Sequence, residues 1–414
     1  MSTIRFFDLT PHIVRYGMQN ECEGKCWILF WRNAVCFRVS VSREDVSDTP
    51  FATKWLELNK EGAPRVEGMK KWVERWNELC DCIIGQCMPV LQELAPPTRQ
   101  WKTLEDHLRT LAYELKMVED QETGDAVAKI TSGPVEKPSY EHHLLPFSDF
   151  ESMPEDLPRY RAQDLRVLRQ EKDWRHPPAK VQTQDGKVLY FLSCNKPTRN
   201  ARNGEISNAS LNTINAYSLL HSKLKDGVGG HIPKLQGVVV SDAGGGLQHW
   251  GAQGHLPATN QSADEETGKE LLVAGVLLTY VSKAKRWAVA EGMFADQKDS
   301  AEVLKCKEKW NRQIASAVQV LHENGIAIGG RLDSDNPWSY INQHTVHIAP
   351  IESGEDTNDV AGLRSTLLAA DAWLMLHAKC TTLPPADQQQ EQDKQNFEEH
   401  KVVDWKAVDK LFQL

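Results

Sequence analysis

Two strand-length apolar runs, IPKLQGVVVSD at 232–242 and LLVAGVLLTYV at 271–281, constrain this chain most. Runs so dense in valine and leucine must be buried, and at this length they suit strands better than helices. The stretch between them, 243–269, is polar and glycine-rich, so they are expected to be two strands separated by an insertion. Upstream, VQTQDGKVLYFLSCN carries Asp185-Gly186 between apolar stretches, the signature of a hairpin turn. NASLNTINAYSLLHSKL at 208–224 has helical spacing. The order from 177 onward is therefore strand, strand, helix, strand, strand. Next, SAEVLKCKEKWNRQIASAVQVLHENGI sets Val303, Trp310, Ile314, Ala317, Val318 and Leu321 on one helical face, and Asn324-Gly325 stops the helix.

The N-terminal part has a different texture. WILFWRNAVCFRVSVS at 27–42 is rich in aromatic and β-branched residues and is broken by Arg32-Asn33-Ala34, which predicts two strands and a turn. From 66 to 94, Met69, Trp72, Trp76, Leu79, Ile83 and Cys87 recur at spacings of three and four, the mark of an amphipathic helix. WKTLEDHLRTLAYELKMVED, from Trp101, aligns Leu104, Leu108, Leu111 and Leu115 and predicts a second helix, paired with the first as a hairpin. Residues 121–160 show little periodicity and are expected to belong to a linker, with SYEHHLLPFSDF able to dock. PPADQQQEQDKQNFEEH at 384–400 is poor in large apolar residues and is expected to be mobile before a short final helix, VDWKAVDKLFQL.

With 40% hydrophobic and 25% charged residues the chain has a globular composition. A net charge of -9, without a long basic stripe, argues against general nucleic-acid binding. No stretch approaches the ~18 apolar residues of a spanning helix, so no membrane role is expected. MSTIRFFDLTPHIVRYGMQN lacks a basic region followed by an apolar run, so an intracellular location, cytoplasmic or nuclear, is expected. Nine cysteines, an odd number, read as reduced thiols. Cys22 and Cys26 with Cys80, Cys82 and Cys87, or with His142-His143, carry zinc-ligand chemistry. Their spacing is not a CxxC pair, and helix-borne cysteines are more often small core residues. No metal is therefore expected. Cys306 and His322 are a poor nucleophile and base, being about 24 Å apart on one helix.

Over 178–376 the order of elements and several phrases resemble the small protein-kinase-like domains common in filamentous fungi. IPKLQGVV is similar to that family's proline-led fourth strand and GVLLTYV to its fifth strand and hinge. WNRQIASAVQVLHENGIAIGG resembles the helix that runs into its catalytic loop, and DTNDVAGLRSTLL at 356–368 the acidic-then-Gly-Leu helix after a shortened activation segment. WILFWRN looks like the flanking part of such proteins. The resemblance implies an α+β fold, protein-kinase-like and two-lobed with a shortened carboxyl lobe, preceded by a small N-terminal α+β region. Its parts would be that region at 1–120, a linker at 121–176, an amino lobe at 177–281 with the insertion 243–269, a carboxyl lobe at 282–383, and a tail with a terminal helix at 384–414.

A kinase grips nucleotide phosphates with a strand lysine held by a helix carboxylate, orients the hydroxyl with a loop aspartate and binds metal through a further aspartate. The resemblance puts Leu192 and Ser193 at the lysine, with Lys196 three residues late. Thr213 falls near the paired glutamate, and the nearest carboxylate is Glu205, two turns upstream. In IGGRLDSDN, alignment on Gly330 and Asn336 puts Arg331 at the catalytic aspartate, with Asp333 and Asp335 nearby; an Arg331 ion pair to either would merely hold the loop. In VHIAPIE, Ala349 stands at the metal-binding aspartate and Pro350 at the phenylalanine beside it. Gly186 is the lone glycine where a phosphate loop would lie, and Gly244-Gly245-Gly246 belongs to the insertion. Losing all four charged groups implies a pseudokinase that uses no cofactor and acts as a binding or scaffold module for an unidentified protein partner. The alternative is a divergent phosphotransferase using ATP and magnesium, in which Lys196 and Asp333 or Asp335 fill the vacated roles beside Asn336. A third reading is a structural component with a relic fold. Among the thirteen tryptophans, Trp72, Trp76 and Trp310 are expected in the core. Trp338 and Tyr340 flank the degenerate loop and either fill the cleft or anchor a partner.

Overall fold

The computed structural model describes residues 2–7, 10–15, 24–59, 69–136, 144–150, 153–168, 179–194, 198–199, 206–224, 230–241, 272–281, 284–294, 300–331, 338–339, 341, 345–349, 367, 369–376, 381–383 and 389–411. Two compact units emerge, one built on Met1–Tyr140 with Gln163–Ala179, the other on Glu141–Ala162, Lys180–Asp242 and Glu270–Leu414. Both mix helices with sheets, so the α+β class is right. The insertion at 243–269 lies outside the described residues.

The first unit is a sheet of six strands adjacent in chain order: β1 (Ser2–Phe7), β2 (Thr10–Arg15), β3 (Lys25–Arg32), β4 (Val35–Ser42), β5 (Leu111–Glu119) and β6 (Ala126–Glu136). All neighbours are antiparallel except β4 and β5. A parallel pair needs a crossover, and α1 (Arg43–Val46), α2 (Pro50–Leu58), α3 (Met69–Leu94) and α4 (Leu104–Leu108) lie along it. Alternation along β3 and β4 turns Ile28, Phe30, Val35, Phe37, Val39 and Val41 to one face. There they pack with Trp55 of α2 and with Trp76, Leu79, Ile83, Cys87 and Leu91, the apolar stripe of α3. Each such side chain contributes roughly 1.5–3 kcal/mol when fully buried.

The helix expected at 101–120 is a correction. Thr103 and Asp106 form a reciprocal capping box that starts α4, but the helix stops at Leu108 and the chain continues as β5. Tyr113, Leu115 and Met117 alternate into the core, a period of two that wins once β4 is available as a partner. No helical hairpin with α3 forms from this segment. Residues 126–136, expected within a linker, are the strand that pairs with β5.

The β3–β4 turn carries two residues in the left-handed region, Asn33 at φ 46° and Ala34 at φ 63°. Asparagine tolerates that conformation better than other side chains. Asn33 also donates from Nδ2 to the Ala95 carbonyl at 2.8 Å, pinning the turn beside the end of α3. Asn33→Ala is expected to cost this unit about 2 kcal/mol, from the lost buried hydrogen bond and the backbone penalty, measured by urea denaturation.

In the second unit, β7 (Arg159–Arg161), β8 (Lys180–Gln182), β9 (Val188–Ser193), β10 (Leu235–Ser241) and β11 (Leu272–Thr279) pair in the order β7-β10-β11-β9-β8. Only β7 runs parallel to its neighbour. The hairpin at Asp185-Gly186 and both long apolar strands thus form as expected, with Gly186 at φ 85°. At Gly275 of β11 a Cβ would lie 2.2 Å from the Leu192 carbonyl oxygen, so only glycine fits this approach to β9. Beyond the end of β9, Leu145 takes over the free side of β11 through reciprocal backbone hydrogen bonds with Val273. The segment around it docks through buried Leu144, Leu145 and Phe150.

Helix α5 (Ala209–Lys223), capped by Asn208, connects toward β10. After β11 come β12 (Lys285–Arg286), α6 (Trp287–Met293) and α7 (Ala301–Glu323). All six residues expected on the inner face of α7 are buried, and Asn324 with Gly325 at φ 74° ends it. The remaining strands are short: β13 (Ile326–Ala327), β14 (Gly330–Arg331), β15 (Trp338–Ser339), β16 (Val346–Ala349), β17 (Asp371–Leu374) and β18 (Thr381–Thr382). They pair as β12-β16-β17, β13-β18 and β14-β15.

The tail is a second correction. Helix α8 spans Glu391–Leu411, taking in much of the stretch expected to be mobile. Glutamine and glutamate are good helix formers, and Gln392–Asn396 and Gln395–Glu399 bond one turn apart. Phe397, Val403 and Val408 bury its inner face. Among the described residues no helix is long and apolar enough to cross a membrane.

Candidate functional site

Four of the residues weighed for catalysis, Lys196, Asp333, Asp335 and Asn336, lie outside the described residues, as do Glu205, Tyr340, Pro350 and the DTNDVAGLRST stretch at 356–366. Ser193 ends β9 opposite Gly275, on the face that also carries Leu189 and Phe191. Tyr190, Leu192 and Cys194 take the other face and pack with the main core of the unit. Thr213 is buried on α5. Arg331 pairs through its backbone with Trp338 in the β14–β15 ladder. Ala349 ends β16, buried, directly across from Asp371 of β17.

β17 has β16 on one side, and its other edge is closed by groups from three separate elements. The Ala372 amide donates to Gln313 Oε1 on α7 at 2.9 Å, the Leu374 amide to the His231 carbonyl at 2.8 Å, and the Leu376 amide to the Tyr217 hydroxyl on α5 at 3.2 Å. These alternate amides point away from β16 and would otherwise be buried without acceptors. At the start of the strand, Asp371 accepts from Lys309 Nζ at 2.9 Å and from Gln313 Nε2 at 2.6 Å. Burial alone would raise its pKa. The hydrogen bonds from Lys309 and Gln313, with the positive field of Lys309 and His231, outweigh that and hold Asp371 below the usual carboxylate range. Trp310 and Lys309 both donate to the Ala370 carbonyl, fixing the approach to the strand.

A second buried polar centre sits where α7 gives way to the loop carrying Arg331. Asp404 of α8 accepts from the Ile328 amide at 2.9 Å and the Gly329 amide at 2.7 Å, and its Oδ2 lies 3.0 Å from His322 Nε2. His322 is held edge-on between Phe397 and Trp405 of the same helix. Gly329 has φ 72°, and a Cβ there would press on the His400 ring at 3.0 Å. One carboxylate therefore joins the end of α7, the start of the loop and α8. No family model matches this chain, and no curated protein matches it.

No local pattern in the sequence marks Tyr217, Gln313 or His231 as site residues. Asp404 leaves one trace: it falls in the row Phe397, Asp404, Val408 and Leu411, where a charge on an apolar helical face signals a buried partner. The cysteines divide differently. Burial pushes Cys26 up to about 11 despite a hydrogen bond from Trp55, and Cys87 up to about 12, so both are neutral thiols suited to packing. Cys80 is also buried and Cys82 half-buried. Cys22 and His142-His143 lie outside the described residues, and among the described ones no group of three metal-ligating side chains assembles. His322 is engaged by Asp404 and not by Cys306.

Asp404→Ala leaves two buried amides and an imidazole without their acceptor. It is expected to cost the second unit about 3–5 kcal/mol in urea denaturation, and Asp404→Asn, which keeps one acceptor oxygen, distinctly less.

Proposed function

We propose that the chain is a catalytically inactive, kinase-like protein acting as a binding or scaffold module for a protein partner. The observation that carries this is the side of β9 that meets the main cluster of the unit, where Cys194 is buried and Tyr190 and Leu192 are half-buried against it, Leu189 and Phe191 being buried on the opposite side. Under this proposal β9 is the strand that in a working kinase carries the phosphate-gripping lysine, and α5 is the helix that carries its carboxylate partner. Of Leu192 and Ser193, the residue on the side of that cluster is Leu192, which brings no ammonium group.

Further support comes from α5, whose Thr213 is buried and whose Tyr217 is tied to the Leu376 amide. The metal-binding aspartate of a kinase must act close to the lysine–glutamate pair. Under this proposal that position is Ala349, buried at the end of β16 and also uncharged. The order β10-β11-β9-β8, with α5 between β9 and β10 in the chain and α7 after β11, is compatible with the kinase-like amino lobe and following helix suggested by the sequence. Electrostatic stabilisation supplies most of the rate of phosphoryl transfer, so neutral groups at these positions point to binding instead of turnover.

Thermal-shift titration of the full chain with ATP, with and without magnesium or manganese, tests this. A nucleotide present at 100 times its Kd would add about 2.7 kcal/mol of stability. The expected outcome is no shift at millimolar nucleotide. A metal-dependent rise that disappears in Asn336→Ala would replace the scaffold proposal with the divergent phosphotransferase.

A further inference from the structure

Of the three residues that close the free edge of β17, Gln313 and Tyr217 do so through side chains and His231 through its main-chain carbonyl. His231 is the one whose ordinary titration falls between pH 5 and 8. It sits in the loop before β10. Its carbonyl accepts the Leu374 amide, and its ring meets Trp373 of the same strand edge-on, with centroids 5.9 Å apart and planes at 66°. Its Nδ1 is buried with no hydrogen-bond partner among the described residues. Charging a ring held on this side away from water costs the desolvation of the imidazolium.

We propose that His231 is a proton-sensitive latch on the β17 edge: neutral, it holds loop 230–234 against Leu374, and protonation releases that loop and loosens 371–376. The charged groups facing it work against one another. Asp371 on β17 favours the imidazolium, as does hydrogen bonding at Ala372, and Lys309 on α7 opposes it. Asp371 is itself engaged by Lys309 and Gln313, so much of its field is compensated. His347 lies across the ladder from Trp373, and Arg286 is its neighbour on β12; among the described residues they are the titratable and basic groups of that row. Burial, the largest influence, tips the balance and holds His231 below its ordinary value of 6.5. The sign follows: an unfolded chain takes up this proton first, so the latch contributes fully above about pH 6.5 and is lost progressively as pH falls toward the folded-state value.

The test is the melting temperature of the full chain between pH 7.5 and 5, beside amide exchange at Leu374 and Leu376 corrected for the intrinsic pH dependence. The wild type is expected to lose melting temperature and Leu374 protection on acidification, ahead of Ile348 on the neighbouring strand. His231→Gln should flatten that pH-dependent loss. Lys309→Met, which removes the opposing charge and frees Asp371 toward the imidazole, should shrink it, and serves if the glutamine variant fails to fold. An unchanged acid slope in either folded variant, or Leu374 protection that does not fall with pH in the wild type, overturns the latch.

Discussion

A buried carboxylate is tolerable only where its charge is met on every side, and Asp404 meets that condition with two backbone amides and an imidazole. The partners come from the end of α7 and the first residues of the loop after β13, while the carboxylate comes from α8. The last helix is thus integral to the second unit, because it supplies the acceptors that the turn out of α7 lacks. The apolar side of α8 has the same effect: Phe397 and Trp405 bracket the imidazole whose Nε2 faces the carboxylate. Hydrophobic burial brings the helix close, and the carboxylate sets its register.

The proposed inactive kinase-like module would rest on the same economy of charge. Under that proposal, where a phosphotransferase would keep an ammonium, a paired carboxylate and a metal ligand, β9, α5 and the end of β16 would offer Leu192, Thr213 and Ala349. Several buried polar groups of the unit serve its own backbone: Tyr217, Gln313 and Asp404 each accept from main-chain amides. Groups used in this way rigidify the fold.

Local patterns in the sequence were reliable where one periodicity stood alone. The hairpins at 25–42 and 180–193 were marked by turn residues, and the inner face of α7 by an unbroken spacing of three and four. Residues 104–119 were misread because two rhythms overlap there: Leu104, Leu108, Leu111 and Leu115 satisfy a helix, whereas Tyr113, Leu115 and Met117 satisfy a strand. The choice was made by β4, far away in sequence and parallel to β5. The tail was misread because Gln- and Glu-rich composition describes solvation and says little about a helix anchored through Phe397 and Asp404. The polar centres were hidden for a related reason. Gly329 and Asp404 are 75 positions apart, and Leu376 and Tyr217 are 159 apart, separations over which no local rhythm reports.

The closure of β17 by two side chains and one carbonyl also bears on how its edge is guarded. A strand edge with unsatisfied amides is a template for adding a strand from another molecule, and proteins guard such edges with charges, prolines or covering segments. Here the guard is assembled from one residue each of α5, α7 and the loop before β10, none of which can continue the ladder. The amides that another strand would need are thereby already taken by groups that serve folding.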